Sequence, residues 1–224
     1  RNGQSPRSGR WWERLLRRAE AVGDVLRDGG EPGDVLVTEL ITPDRWQRKE
    51  DEVLVAEGRN SLGQIPLVHV QNAAVPFEYA GGSDVEPLIP AAAGVEMLHT
   101  ASLVHGDTID MSQLRRGQPT LNSMFDSGTV ILIGDYLFAQ SAILAAETMN
   151  PRVVAVFAAS LADICDGQLR EVFTAHRLDQ TRDEYERRIY GKTASLFAGA
   201  AEMGAIIGGA NEDEIQNLRA FGGE

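Results

Sequence analysis

From Ala91 onward the chain carries long Ala-, Leu- and Ile-rich stretches with few residues that interrupt a helix. The punctuation falls at Pro119, at Asn150-Pro151 and at Gly208-Gly209. Within these stretches, positions recur at helical spacing, as in Val95, Leu98 and the small Ser102, or Tyr185, Ile189, Leu196 and Met203. An apolar stripe of this kind is buried against other helices. The sequence therefore predicts a mainly α protein, with helices over residues 91–224. Asn150 reads as a helix N-cap with Pro151 in the first helical position, where its missing N–H has no partner to lose.

Residues 1–90 have another character. Short β-branched runs at Asp34–Leu40, Val53–Ala56 and Pro66–Val70 alternate with turn-rich stretches such as Gly29-Gly30-Glu31-Pro32-Gly33 and Gly58–Gly63. That pattern predicts a smaller α+β or strand-containing region, giving two segments, 1–90 and 91–224. Ahead of it, Arg10–Ala19 sets Trp11 over Leu15 and Trp12 over Leu16 among Arg14, Arg17 and Arg18. This is a terminal helix that packs its Trp face on its own domain or oligomer, or else a basic amphipathic helix for an anionic surface or a partner. Trp46 is expected in the core.

Composition excludes some classes of function. A net charge of −12 argues against general nucleic-acid affinity, and only Lys49 and Lys192 among the 21 basic residues are lysines. One cysteine, Cys165, permits no internal disulfide and fits a reducing compartment. The polar, Arg-rich start lacks the apolar core of a secretory signal. Together these predict a cytoplasmic protein. The apolar stretches Val130–Ala146 and Val153–Cys165 are interrupted by Asp135 and Asp163, so both are read as buried helices, with no transmembrane segment.

The segment from Val104 to Asn122, V-H-G-D-T-I-D-M-S-Q-L-R-R-G-Q-P-T-L-N, is the one that speaks to chemistry. Asp107 and Asp110 lie three apart, on one face of a helix, and the pair Arg115-Arg116 follows within a few residues. Carboxylates at that spacing suit a hard divalent cation, and Mg²⁺ takes one or two carboxylates together with phosphate oxygens and water. Guanidinium groups, always charged and able to fork, suit the phosphates.

Gly106-Asp107-Thr108-Ile109-Asp110 followed by Arg115-Arg116-Gly117-Gln118-Pro119-Thr120 resembles the first aspartate-rich motif of the trans-isoprenyl diphosphate synthases, or polyprenyl synthetases, which reads D-D-x-x-D then R-R-G-x-P-T. The resemblance continues in Ala91–Leu103, in Gly134-Asp135-Tyr136-Leu137 and in Tyr190–Phe197. It implies a partial all-α isoprenoid-synthase bundle and Mg²⁺-dependent condensation of isopentenyl diphosphate with an allylic diphosphate. In that reading Asp107 and Asp110 hold metal, and these two with Lys192 are the catalytic residues. Arg115, Lys192 and Thr193 meet the allylic diphosphate, and Arg116 and His99 the isopentenyl diphosphate. The small Ala101 and Ser102, just ahead of the motif, imply an open hydrocarbon tunnel and longer products.

The chain also departs from that pattern. Gly106 stands where the family has its first aspartate, no G-G-K-R signature occurs, and no second aspartate motif follows Phe221. The expectation is a chain that is weak or inactive alone. Its partial bundle is expected to self-associate or to join a heteromer through its helices. Residues 34–90, through Asn60–Val68, Gln71-Asn72 and Gly82–Glu86, resemble tailed-phage portal proteins, which implies a fusion near Leu88–Ala91. The alternatives to the synthase are thus a portal-derived structural fragment joined to helices, and a non-catalytic subunit of a heteromeric prenyl synthase.

Overall fold

The structure, a computed structural model, describes residues 68–84, 86–115 and 117–224. The strand runs at 34–40 and 53–56, the Trp-bearing helix at 10–19, Trp46 and Arg116 lie outside them. The described residues form α1 (Val68–Tyr79), α2 (Leu88–Ile109), a hairpin of β1 (Leu114–Arg115) and β2 (Gln118–Pro119), a 3₁₀ turn (Leu121–Ser123), α3 (Ser127–Glu147), α4 (Pro151–Thr174), α5 (Arg182–Ile189), a π turn (Tyr190–Ala194), α6 (Ser195–Gly208) and α7 (Glu212–Gly223).

Two expectations near residue 90 change. Of the run at Pro66–Val70, read as a strand, the described residues Val68–Val70 begin α1, because Ala73, Ala74 and Phe77 form a helical face that is buried in the core. Burial of that face outweighs the β preference of isolated valines, since propensity is a weak prior beside packing. Pro90, taken as the edge of the helical part, lies inside α2, which begins at Leu88. In the first turn a proline removes no intrahelical bond.

Helix starts follow local chemistry. Asp126 caps α3 by accepting from the Thr129 N–H at 3.1 Å. Asn150 caps α4 by accepting from Arg152 N at 3.0 Å, with Pro151 first in the helix as expected. Capping boxes open α5 (Thr181 with Glu184) and α7 (Asn211 with Glu214). At the far end of α6, Gly209 adopts φ +85°, and Gly209 N and Ala210 N donate to Ile206 O and Ala205 O. A left-handed residue there suits glycine.

The helices meet through small residues. A Cβ on Gly94 would contact Ser141 and Ala145, and one on Gly134 would strike His105, so α2 and α3 run antiparallel. Gly199 faces Ser160, and Gly167 faces Gly191 and Lys192, which sets α4 antiparallel to the π turn and α6. The tightest approach is α6 on α1, where a Cβ on Gly204 would lie 1.9 Å from the carbonyl oxygen of Ala73. Val95, Leu98, Leu137, Val153 and Met203 fill the core between these contacts. Tyr185 and Ile189, read as part of one stripe with Leu196 and Met203, stay exposed on α5, because the π turn breaks the helical phase before α6. Among the described residues, one helix, Ser127–Glu147, is long and apolar enough to cross a membrane, and a third of it is buried in the fold.

Two outcomes follow from this packing. Gly204→Ala is expected to cost about 1–3 kcal/mol, as over-packing does, or roughly 3–10 °C in Tm at this chain length. Gly106→Ala, whose new Cβ meets nothing within 4 Å, is expected to be neutral or to stabilise by up to about 1 kcal/mol. Thermal unfolding followed by circular dichroism checks both.

Four surface carboxylates, Glu184 among them half-buried, lie below their ordinary range through hydrogen bonds: Asp126 chiefly from the Thr129 hydroxyl, Asp179 from Arg177, Glu184 from the Thr181 backbone and Glu212 from Arg152. A depressed folded-state pKa contributes stability that is complete above the unfolded value, near 4, and lost as pH falls through the folded one. Tm is therefore expected to hold from about pH 6 to about pH 4.5 and to fall below that range. A Tm that rose on acidification would contradict it.

Candidate anion-binding cavity

The chain reverses sharply after α2, and this reversal builds the charged end of the site. Met111 takes a left-handed conformation, φ 51°, at about 1–2 kcal/mol for a residue with a Cβ. Ser112 N then donates to Asp107 O at 2.9 Å, and Thr120 ties back through its N–H to Gln113 O and its hydroxyl to Ser112 O. Gly117 at φ +85° sits in the hairpin turn, and the register pairs Arg115 with Gln118. The result returns Arg115 onto the helix it has just left.

There its guanidinium grips Asp107. Nε donates to Oδ1 at 3.0 Å and to Oδ2 at 2.9 Å, and Nη2 donates to Oδ1 at 2.8 Å. Asp107 is 7% exposed. The hydrogen bond to Asp107 raises the Arg115 pKa above its ordinary value against the opposing effect of burial, with smaller help from the charges of Asp107 and Asp110. A forked guanidinium–carboxylate contact of this kind fixes orientation as well as charge.

On the opposite side, the π turn presents Lys192 and Thr193. Glycines make this possible: a Cβ on Gly167 would lie 2.3 Å from the Lys192 backbone nitrogen, and one on Gly191 would lie 2.8 Å from Asp163 O. The Lys192 ammonium pairs with Glu171 of α4. Insertions of this π type recur at functional sites.

Between these two ends lies a cavity of about 690 Å³. Of the residues singled out in the sequence, His99, Ser102, Asp110, Arg115, Lys192 and Thr193 line it. Asp107 does not; it stands behind Arg115. Ala101 does not either: it is fully buried in the core, where small size serves helix packing. The remaining wall is largely apolar, with Ile109, Ile131, Phe138, Ile164, Leu196 and Phe197.

Two groups escaped sequence reasoning, His105 and Glu171. His105 Nε2 lies 3.3 Å from Asp135 Oδ1 and 3.2 Å from Ile131 O, and its ring tilts against Phe138, so α2 and α3 are pinned at the cavity wall. Glu171 holds Lys192. The pair Gly134-Asp135 was visible, but its tie to His105 spans two helices and leaves no local pattern. Cys165 also lines the cavity, and burial pushes its thiol pKa up, away from thiolate chemistry.

The arrangement joins a charged mouth, with two cations on separate elements, to an apolar interior. Similarity to known proteins agrees with it. The polyprenyl synthetase family model matches residues 65–224. Heptaprenyl diphosphate synthase component 2 of Geobacillus stearothermophilus is 39% identical over 142 residues, 63% of this chain and 44% of that protein. A solved decaprenyl diphosphate synthase from Rhodobacter capsulatus superposes with a TM-score of 0.71 at 32% identity, covering 95% of this chain and 62% of that one. A polyprenyl synthase from Caulobacter crescentus, solved with calcium and isoprenyl diphosphate, gives a TM-score of 0.68 at 29% identity, with 97% and 62% covered. The chain thus spans less than two thirds of each. The family match begins inside the stretch read as portal-like, and the portal resemblance gains nothing from these comparisons. From residue 65 to its end, this chain belongs to the polyprenyl synthetase family.

Proposed function

We propose that this chain carries the allylic-diphosphate side of a prenyl-transfer centre. One observation supports the reading above others: a single cavity sets Arg115, Lys192 and Thr193 at its charged end beside an apolar wall of Phe138, Ile164, Leu196 and Phe197. A prenyl diphosphate has the matching form, an anionic head on a hydrocarbon tail.

In the reaction, the allylic C–O bond breaks and its electron pair leaves with the diphosphate. The resulting cation is attacked by the double bond of isopentenyl diphosphate, and transfer of a proton to the released diphosphate completes the new prenyl unit. Charge grows on the leaving oxygen, so fixed cations aimed there lower the barrier. Arg115 is held rigid by Asp107 for this role, Lys192 approaches from the π turn, and Thr193 adds a hydroxyl donor. His99 at the same cavity is assigned, with Arg116, to isopentenyl diphosphate. The apolar wall excludes water from the cation.

The Mg²⁺ expected on Asp107 and Asp110 does not fit the described donors as a resident ion. Both oxygens of Asp107 are engaged by Arg115, and among the described residues no three His, Cys, Asp or Glu side chains are grouped to hold a metal. Calcium in the Caulobacter structure accompanies isoprenyl diphosphate. A divalent cation at this cavity would depend on the diphosphate for oxygens.

Binding is the test, because turnover belongs to the whole protein. Farnesyl diphosphate is expected to bind the chain while farnesol does not, and Arg115→Ala or Lys192→Ala is expected to weaken it by about 10-fold or more, the scale of a charge-assisted hydrogen bond. Calorimetry that detects no difference between the diphosphate and the alcohol would refute the reading.

A second proposal concerns assembly. Leu132 and Ile143 on α3, with Val172 and Phe173 on α4, expose apolar surface. We propose that a second copy of this chain covers it. Light scattering is expected to give a mass above the 24.3 kDa of one chain, reduced by Leu132→Glu with Phe173→Glu. A monomer at all concentrations would sink it.

A further inference from the structure

Gly106 occupies the place of the leading carboxylate in the resembled motif, and the space beside it is open, with nothing within 4 Å of a Cβ built there. The next carboxylate, Asp107, is buried and turned away from the cavity into its contact with Arg115. Asp110, at the C-cap of α2, is the exposed carboxylate of this turn and lines the cavity. An ionised carboxylate has about four lone-pair sites on its two oxygens, and the three hydrogen bonds from Arg115 take up most of those on Asp107, which leaves little for a cation. Arginine has donors to spare: Asp107 engages Nε and Nη2 and does not engage Nη1. An ammonium likewise has three donors, and Lys192 gives one to Glu171.

From these placements we infer that the end of α2 is a cationic clamp that grips diphosphate without a metal of its own, and that Asp107 is a positioning residue for Arg115 and not a metal ligand. The inference rests on the reading of the cavity as a diphosphate site. Its chemistry is that of an anion held by guanidinium and ammonium: of the two carboxylates lining the cavity, Asp135 is paired with His105 on the wall, and with Asp110 the described residues offer too few grouped oxygens to bind Mg²⁺ or Mn²⁺ before the diphosphate arrives. Adding one carboxylate at position 106, where space allows it, would complete a pair with Asp110 and change that behaviour.

Two measurements on the 224-residue chain test the inference. In the first, Mn²⁺ alone is titrated and followed by electron paramagnetic resonance. The unmodified chain is expected to leave the free-ion signal intact, Gly106→Asp to quench it, and Asp110→Asn in the Gly106→Asp background to restore it. Tight Mn²⁺ binding by the unmodified chain that Asp110→Asn abolishes would overturn the inference. In the second, farnesyl diphosphate is titrated in EDTA and in excess Mg²⁺. The affinities are expected to agree within about threefold for the unmodified chain and to separate by about 10-fold or more in Gly106→Asp. Asp107→Asn is expected to lower the affinity in EDTA while the helical circular dichroism signal is kept, and Asp107→Glu to recover part of it. Binding that disappears in EDTA overturns the inference and leaves the diphosphate site standing. Absence of binding in both media overturns the site itself, and the inference with it.

Discussion

Backbone-to-backbone approach between helices is the constraint on which the other features of this molecule rest. Gly204 lies against the Ala73 carbonyl, and Gly167 against the Gly191–Lys192 peptide. Contacts so close leave no room for side chains and fix the helix axes directly. Larger residues then fill the spaces between, with Leu98, Leu137 and Met203 fully buried. Interiors packed this way respond to small changes in volume. The cavity is the counterpart of that tightness: where α2, α3, α4 and α6 diverge, space remains, and its position is set by glycines that lie outside it.

Charge at the mouth is organised through pairs. Arg115 is locked by Asp107, Lys192 is tethered by Glu171, and His105 bridges to Asp135. Each pair joins two elements, so orientation of the cations depends on tertiary structure and not on one helix. A buried or half-buried ion pair is weak evidence of stability, since desolvation offsets attraction. Its value here lies in geometry, because a guanidinium held by a fork meets its ligand with less to reorganise.

The sequence made the helical part legible where patterns are local. The Asn150-Pro151 start, the Gly208-Gly209 stop and the buried face of Val95 and Leu98 need only neighbours within one or two turns. The gathering of His99, Asp110, Arg115, Lys192 and Thr193 at one cavity was legible through motif resemblance, since nothing in the spacing from 115 to 192 reveals proximity. What escaped depended on distant partners. Val68–Val70 looked like part of a strand because the face of α1 is defined by α6, more than a hundred residues away. The contact of Asp107 with Arg115 was hidden because the helical spacing of two aspartates says nothing about the hairpin that folds back over one of them. Ala101 looked like a tunnel residue because size alone does not tell which side of a helix faces a void.

The left-handed Met111 and the tight hairpin after it have one more consequence. In an extended strand, side chains alternate between opposite faces, so the direction of Arg115 is decided by whether the number of residues separating it from the helix is odd or even. One residue gained or lost between Ser112 and Leu114 would swing the guanidinium to the far side of the ribbon and leave Asp107 buried without its counter-ion.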